Sequence, residues 1–128
     1  MNEGLLVPKF WGEEEYITAQ DDYTAKFLRV QAFCVCSEHR HPIKTETFHV
    51  LTGSGAIVVA GTIHLVQPGD TVHIPRNTYH YFATAAGMTL LEISTRHCDD
   101  DVERLRPSCA LSELAAPELR RALGIGRP

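Results

Sequence analysis

From Phe48 to Thr84 the chain is cut at short intervals by turn-forming groups: Gly53-Ser54-Gly55, Ala60-Gly61-Thr62, Pro68-Gly69-Asp70 and Arg76-Asn77-Thr78. The runs between the cuts read as short strands. Upstream, "AKFLRVQAFCVC" (residues 25–36) alternates, with Leu28, Val30, Ala32 and Cys34 on one parity, and reads as a strand along its whole length. "MTLLEIST" is the last clear strand. Short strands repeating at intervals of roughly eight to twelve residues restrict the chain to an all-β sandwich or barrel.

The two ends depart from this pattern. Residues 1–19 read as irregular, with Glu13-Glu14-Glu15 as a solvated turn and Phe10-Trp11 exposed. Near the other end, Pro117 suits the first turn of a helix, and "ELRRAL" stops at Gly124, a C-terminal cap. Ser112-Glu113-Leu114 starts a further helical turn. With 128 residues and no repeat or linker, one domain is expected: a barrel core of about 20–96 and a helical tail of about 99–124.

Charge and composition narrow the function classes. The net charge is −4 and the basic residues are scattered, so a nucleic-acid partner is not expected. No apolar run reaches membrane-spanning length and no secretory leader is visible, so a cytoplasmic protein without a membrane partner is expected. Reduced thiols fit that compartment. Cys34, Cys36, Cys98 and Cys109 form no C-x-x-C pair, and read as small, partly buried hydrophobes.

The chemistry concentrates in "HRHPIKTE". In a strand, residues two apart share a side, so His39 and His41 project together while Arg40 points away. Taken alone, a histidine pair of this kind is a weak signal. Glu46 follows His41 after four residues, with Pro42 helping to turn the chain. His80 arrives from a separate hairpin, with four residues between it and Pro75. His49 should face away from Glu46; His64 and His97 have no partners at ligand spacing; His73 could line the cavity or a subunit contact.

These residues resemble the two sequence motifs of the cupin superfamily. In the first, His39-x-His41 is followed by four residues, Glu46, six residues and Gly53. In the second, Gly69 is followed by five residues, Pro75 and then His80. Phe33 stands at the glycine that often precedes the first motif, Asn77 at the glycine after the proline, and Thr84 at the closing asparagine. Asparagine also tolerates a left-handed turn.

The resemblance implies a double-stranded β-helix, the jelly-roll or cupin barrel, with a divalent ion held by His39, His41, Glu46 and His80. Three imidazoles and one carboxylate suit transition metals such as Mn, Fe, Zn or Ni and poorly suit Ca or Mg. Four side chains on an octahedral ion leave two positions open.

Finer features resemble the D-lyxose isomerase-like sugar isomerases: "HPIKTETFHVL", the segment around Trp11-Gly12-x-Glu14, and "LLEISTRH" with "DDVERL" after it. That likeness implies manganese, a sugar substrate and aldose–ketose interconversion through a metal-stabilised enediolate. Glu92 is the candidate base, on the parity of Leu90 and Ser94, and Lys44 would hold a sugar oxygen. Each has an alternative: Glu92 on the solvent face, and Lys44 at the barrel mouth reaching into water. Two other functions stand beside the isomerase: an Fe(II)-dependent dioxygenase, and a non-enzymatic small-molecule or sugar-binding module. A homodimer is expected in every case.

Overall fold

The computed structural model describes residues 3–125. The N-terminal part holds β1 (Leu6–Lys9), β2 (Gly12–Ala19), β3 (Tyr23–Val30), β4 (Cys34–Val35) and β5 (Glu38–Arg40). The middle holds β6 (Glu46–Gly53), β7 (Gly55–Val59), β8 (Thr62–Val66), β9 (Thr71–Ile74), β10 (His80–Thr84) and β11 (Met88–Thr95). Then come β12 (Glu103–Arg106), β13 (Cys109–Ala110), a 3-10 turn at Leu111–Glu113 and helix α1 (Pro117–Ala122).

The strands form two antiparallel sheets. The larger, counted in described residues, has six strands in the order β1-β2-β3-β11-β6-β9; the smaller, of seven shorter strands, runs β12-β5-β10-β4-β13, with β7 pairing β10 and β8 pairing β7. Neighbours in space are often distant in sequence, as in a jelly roll: β11 lies between β3 and β6. Among the described residues, no helix is long and apolar enough to cross a membrane.

The punctuation read from the sequence falls where the chain turns. Ala60 and Gly61 have φ of 50° and 80° and close the β7–β8 hairpin. Gly53 has φ of 77°, and a Cβ there would run into the Gly87 carbonyl, so the motif glycine is sterically required. Asn77 takes φ of 59° in place of glycine, as expected of asparagine. Phe33 also adopts φ of 60°, so the left-handed turn persists there without the residue that usually makes it. Thr84 braces its own turn: its hydroxyl donates to the Ser54 carbonyl (2.6 Å) and accepts from the Gly87 N–H (2.8 Å).

Four expectations are corrected. The stretch expected to be irregular over 1–19 is strand over most of its described part, because β1 and β2 form a hairpin that extends the larger sheet along β3; residues 1 and 2 lie outside the described residues. The acidic triplet is strand, not turn: Glu13 and Glu15 pair with Arg29 on the outer face, while Glu14 turns inward to Lys26. Trp11 is buried, although Phe10 is exposed. Finally, the alternation over 25–36 is broken at Gln31–Phe33, where the chain turns between β3 and β4 and leaves Ala32 exposed.

The inner face of the larger sheet has two ends of different character. Towards one end, Leu28, Val30, Val50, Met88 and Leu90 are buried. They meet Trp11, Phe48 and Phe82, whose rings touch edge to face with centroids 5.1 and 6.1 Å apart. Each fully buried side chain of this kind contributes about 1.5–3 kcal/mol. Towards the other end, the same strands bury Thr24, Lys26, Glu46, Glu92 and Ser94. Register places Glu92 beside Lys26 and Ser94 beside Glu46. Stability therefore comes from one end of the barrel, and the other is free to carry chemistry.

Candidate metal centre

Glu46 is the first residue of β6 and points across the barrel to the smaller sheet, where His80 begins β10 opposite His39 on β5. His41 follows β5 directly. Ligand-capable atoms of His39, His41, Glu46 and His80 all lie within 4.8 Å of one another, and this group could hold a metal ion.

The backbone sets the histidine tautomers. Nδ1 of His39 lies 2.8 Å from the Ser37 carbonyl, Nδ1 of His41 2.7 Å from the Asp101 carbonyl, and Nδ1 of His80 2.8 Å from the Thr78 carbonyl. A carbonyl only accepts, so each Nδ1 carries the proton and each Nε2 keeps its lone pair. Those lone pairs are the donors a divalent ion needs.

Glu46 Oε2 lies 2.8 Å from His80 Nε2 and 3.1 Å from His41 Nε2. Yet Glu46 Oε2 and His80 Nε2 are both buried without a hydrogen-bond partner. The 2.8 Å approach has the length of a hydrogen bond, but with the His80 proton on Nδ1 neither Nε2 nor the carboxylate oxygen has a proton to donate. Buried polar atoms left unpaired are costly, and a cation shared by the two would satisfy both. The residues present fit a divalent transition metal.

Electrostatics agree with a donor set held ready. Burial alone would raise the Glu46 carboxyl, but His41, His80 and Lys44 outweigh it and hold it well below the usual carboxylate range. Burial, with repulsion from His80 and His41, pushes His39 down to about 3. It stays neutral at physiological pH, as a ligand must.

Lys44 and Glu92 occupy the wall beside the four donors. Both are buried, at 3 % and 4 % exposure, which removes the alternatives that placed them in solvent. Lys44 Nζ lies 3.7 Å from Glu46 Oε1 and 3.4 Å from Glu92 Oε2. Burial and then repulsion from Glu46 raise the Glu92 carboxyl, despite Lys44 and Lys26. Donors, lysines and glutamates line one cavity of about 640 Å³, within the range of small-molecule sites.

Several residues of this wall escaped the sequence reading. Lys26 is 2 % exposed, 3.3 Å from Glu14 Oε1 and 4.7 Å from the centre of the Tyr16 ring. Burial penalises its ammonium, but Glu92 and Glu14 together raise it above the ordinary lysine range. Its parity with Leu28 and Val30 was the available signal. His97 stands outside the four-donor group but is hydrogen-bonded on both sides: Nδ1 lies 3.2 Å from Lys44 Nζ, and Nε2 lies 2.8 Å from Asp99 Oδ1. Asp101 is buried against the 41–44 loop.

The remaining histidines stand apart. His49 faces outward, bonded to Thr71, as expected. His73 does not line the cavity; it is exposed beside Thr47 on the outer face of the sheet. His64 is exposed on β8.

No curated protein matches the sequence. Among solved structures, the fold is similar to Streptomyces PAC13 with uridine: TM-score 0.74 and 19% identity, covering 89% of this chain and 93% of that one. It is similar to KdgF from Halomonas sp., with TM-score 0.64 and 19% identity over 69% of this chain and 81% of that one. An RmlC-like cupin from Shewanella frigidimarina gives TM-score 0.65 and 17% identity over 69% of this chain and 78% of that one. At these identities the likeness is one of fold, and it lends no support to the narrower resemblance to D-lyxose isomerases. Residues 27–94 match the family described as Cupin domain. With that match, the jelly-roll sheets and the His39, His41, Glu46 and His80 cluster in one barrel, the chain belongs to the cupin family.

Proposed function

We propose that this cupin is a metal-dependent acid–base enzyme acting on a small hydroxylated carbonyl compound, with aldose–ketose isomerisation of a sugar as its reaction. The observation that carries the reading is Glu92: a buried carboxylate with a raised pKa, in the same cavity as the four donors and separated from Glu46 by the Lys44 ammonium. His39, His41, Glu46 and His80 would hold a divalent transition ion, manganese in this proposal, which would supply Lewis acidity toward an oxygen-rich substrate.

The chain's own residues account for the rest. Glu92 takes a proton from the carbon beside the carbonyl and returns it to the adjacent carbon; its burial makes it a stronger base than a solvated glutamate. Lys44 offers its ammonium to Glu92 Oε2 and to a substrate oxygen. Lys26, paired with Glu14, keeps a second positive charge on the same wall. Trp11, Leu28, Phe48 and Phe82 line the cavity's apolar side and keep water from the reacting carbons.

Metal analysis of the purified protein, then incubation with pentoses and hexoses in D2O with manganese, tests this. Isomerised sugar carrying solvent deuterium is expected, and Glu92→Gln should abolish exchange while leaving metal content unchanged. Iron with oxygen consumption would favour the dioxygenase. Sugar binding without exchange would make the protein a binding module.

A second reading rests on the same Lys44–Glu92 pair, which suits removal of a proton followed by departure of a hydroxyl. PAC13, similar in fold over 89% of this chain, is described as a nucleoside dehydratase. A product lighter than its substrate by one water would favour dehydration over isomerisation. The homodimer is likewise a proposal, with β1 at one edge of the larger sheet, and sedimentation tests it.

A further inference from the structure

Lys44 is held at both ends by one short stretch of chain. Its backbone N–H donates to Asp101 Oδ2 (2.8 Å), and the N–H of Ile43 donates to Asp101 Oδ1 (2.8 Å). Its ammonium donates to His97 Nδ1 (3.2 Å). Because Nδ1 accepts, the His97 proton sits on Nε2 and is given to Asp99 Oδ1 (2.8 Å). Burial, with repulsion from Lys26 and Lys44, lowers the His97 pKa and keeps the ring in this neutral form.

Asp101 does one thing more. Its carbonyl receives Nδ1–H of His41, which directs the other ring nitrogen toward Glu46. The carboxylate's two bonds to the 43–44 backbone, together with the Asp101 N–H bond to the Cys98 carbonyl (3.0 Å), hold Asp101 in the position where its carbonyl meets that ring. The same residue therefore braces a ligand-set histidine and the residue two before Glu46. The 97–101 segment joins β11 to β12, so neither strand alone fixes it.

We propose that the His97–Asp101 segment is the positioning element of the centre: Asp101 seats His41 and the Lys44 amide, and His97, backed by Asp99, aims the Lys44 ammonium between Glu46 and Glu92. Lysine has a flexible four-carbon stem with three rotatable donors, and buried between two glutamates it has no single preferred partner. His97 supplies the third contact that fixes it. The seat rests on the acid–base reading only for what Lys44 does to substrate; its geometry requires neither substrate nor ion.

Two readouts test it without an activity assay. The first is the Lys44 ammonium signal in 1H–15N spectra of the metal-free protein, assigned by its loss in Lys44→Met. The signal should be protected from exchange in the parent, lost in His97→Ala and restored in His97→Gln, whose side-chain oxygen accepts. Long-range 1H–15N spectra should show the Nε2–H tautomer at His97 and Nδ1–H at His41. The second readout is Co(II) affinity followed by visible absorption. Asp101→Ala should weaken binding about ten- to hundredfold, and Asp101→Asn, which keeps one acceptor and guards against loss of the fold, by less. His97→Ala should change it less than about twofold, since His97 touches no ligand. An unchanged Lys44 signal in His97→Ala, or full Co(II) affinity in Asp101→Ala, would overturn the proposal. A parent protein that binds no Co(II) would instead overturn the metal reading, and the Lys44 spectra would still decide the seat.

Discussion

Glu46 Oε2 and His80 Nε2 face each other at 2.8 Å inside the barrel, and neither makes a hydrogen bond. The two sheets bring them together from strands β6 and β10, so the cost of the unmet pair is part of the fold itself. A protein that pays such a cost gains when a cation arrives.

Divalent metal should therefore stabilise the folded state strongly. At a free concentration a hundred times the dissociation constant, binding adds about 2.7 kcal/mol, on the order of 10 °C in Tm for a domain of this size. Thermal melts with and without a chelator check this for Mn, Co, Ni and Zn. His80→Ala removes one donor and should abolish most of the shift. Equal melting temperatures in chelator and in excess metal would sink the site.

The stability of the protein should fall on mild acidification in a way that depends on His97. Its folded pKa is lowered from 6.5, by burial and then by Lys26 and Lys44, with Asp99 opposing. The unfolded chain therefore takes up a proton first as pH drops below 6.5. Stability is full above that value and is lost as pH falls through it. The Tyr16 ring and Asp99 are its other neighbours. Urea unfolding at pH 7.5 and 5.5 should show a smaller loss in His97→Gln than in the parent.

Thiol chemistry should separate the cysteines by burial. Burial pushes the Cys36 thiol up to about 12, and its sulfur accepts from the Phe82 N–H at 3.2 Å. Cys98 is exposed at the cavity mouth. Alkylation at pH 8 should modify Cys98 first and spare Cys36 until the protein unfolds, because the thiolate is the reactive form. Mass mapping of partly labelled protein reads the order, and Cys98→Ser should remove the fastest phase.

How much of this was legible in the sequence varies by residue. His39, His41, Glu46 and His80 were readable because each lies at a spacing tied to a turn, and turns are announced locally by Gly, Pro and Asn. Parity with Leu90 and Ser94 made Glu92 a candidate but left the solvent face open, and only its burial decided between them. Lys26 obeyed the same rule, yet a lysine among strand hydrophobes looks like an outward residue until its partners are known. Those partners, Glu14 and Glu92, come from β2 and β11, and no spacing in the chain links them. His97 and Asp101 lie in a connecting segment without periodicity, and their contacts span more than fifty residues of sequence. Long-range polar pairing was the hidden part.

Phe33 offers a test of how far the family's turn geometry constrains this chain. It holds φ of 60° at the place where cupins often have glycine, and its ring is 62 % exposed, so it gains little from burial. A left-handed conformation costs a non-glycine residue about 1–2 kcal/mol. Glycine at this position would remove that cost, but would add about 0.5–1 kcal/mol of chain entropy to be lost on folding. The difference favours glycine, so Phe33→Gly should stabilise the protein by about 0.5–1 kcal/mol. Gly53→Ala provides the opposite sign, because its φ is also positive and its Cβ would meet the Gly87 backbone. Chemical denaturation of both variants beside the parent measures the pair. If Phe33→Gly proves destabilising, the exposed ring makes a contact that offsets its backbone strain, and the turn is not held there by geometry alone.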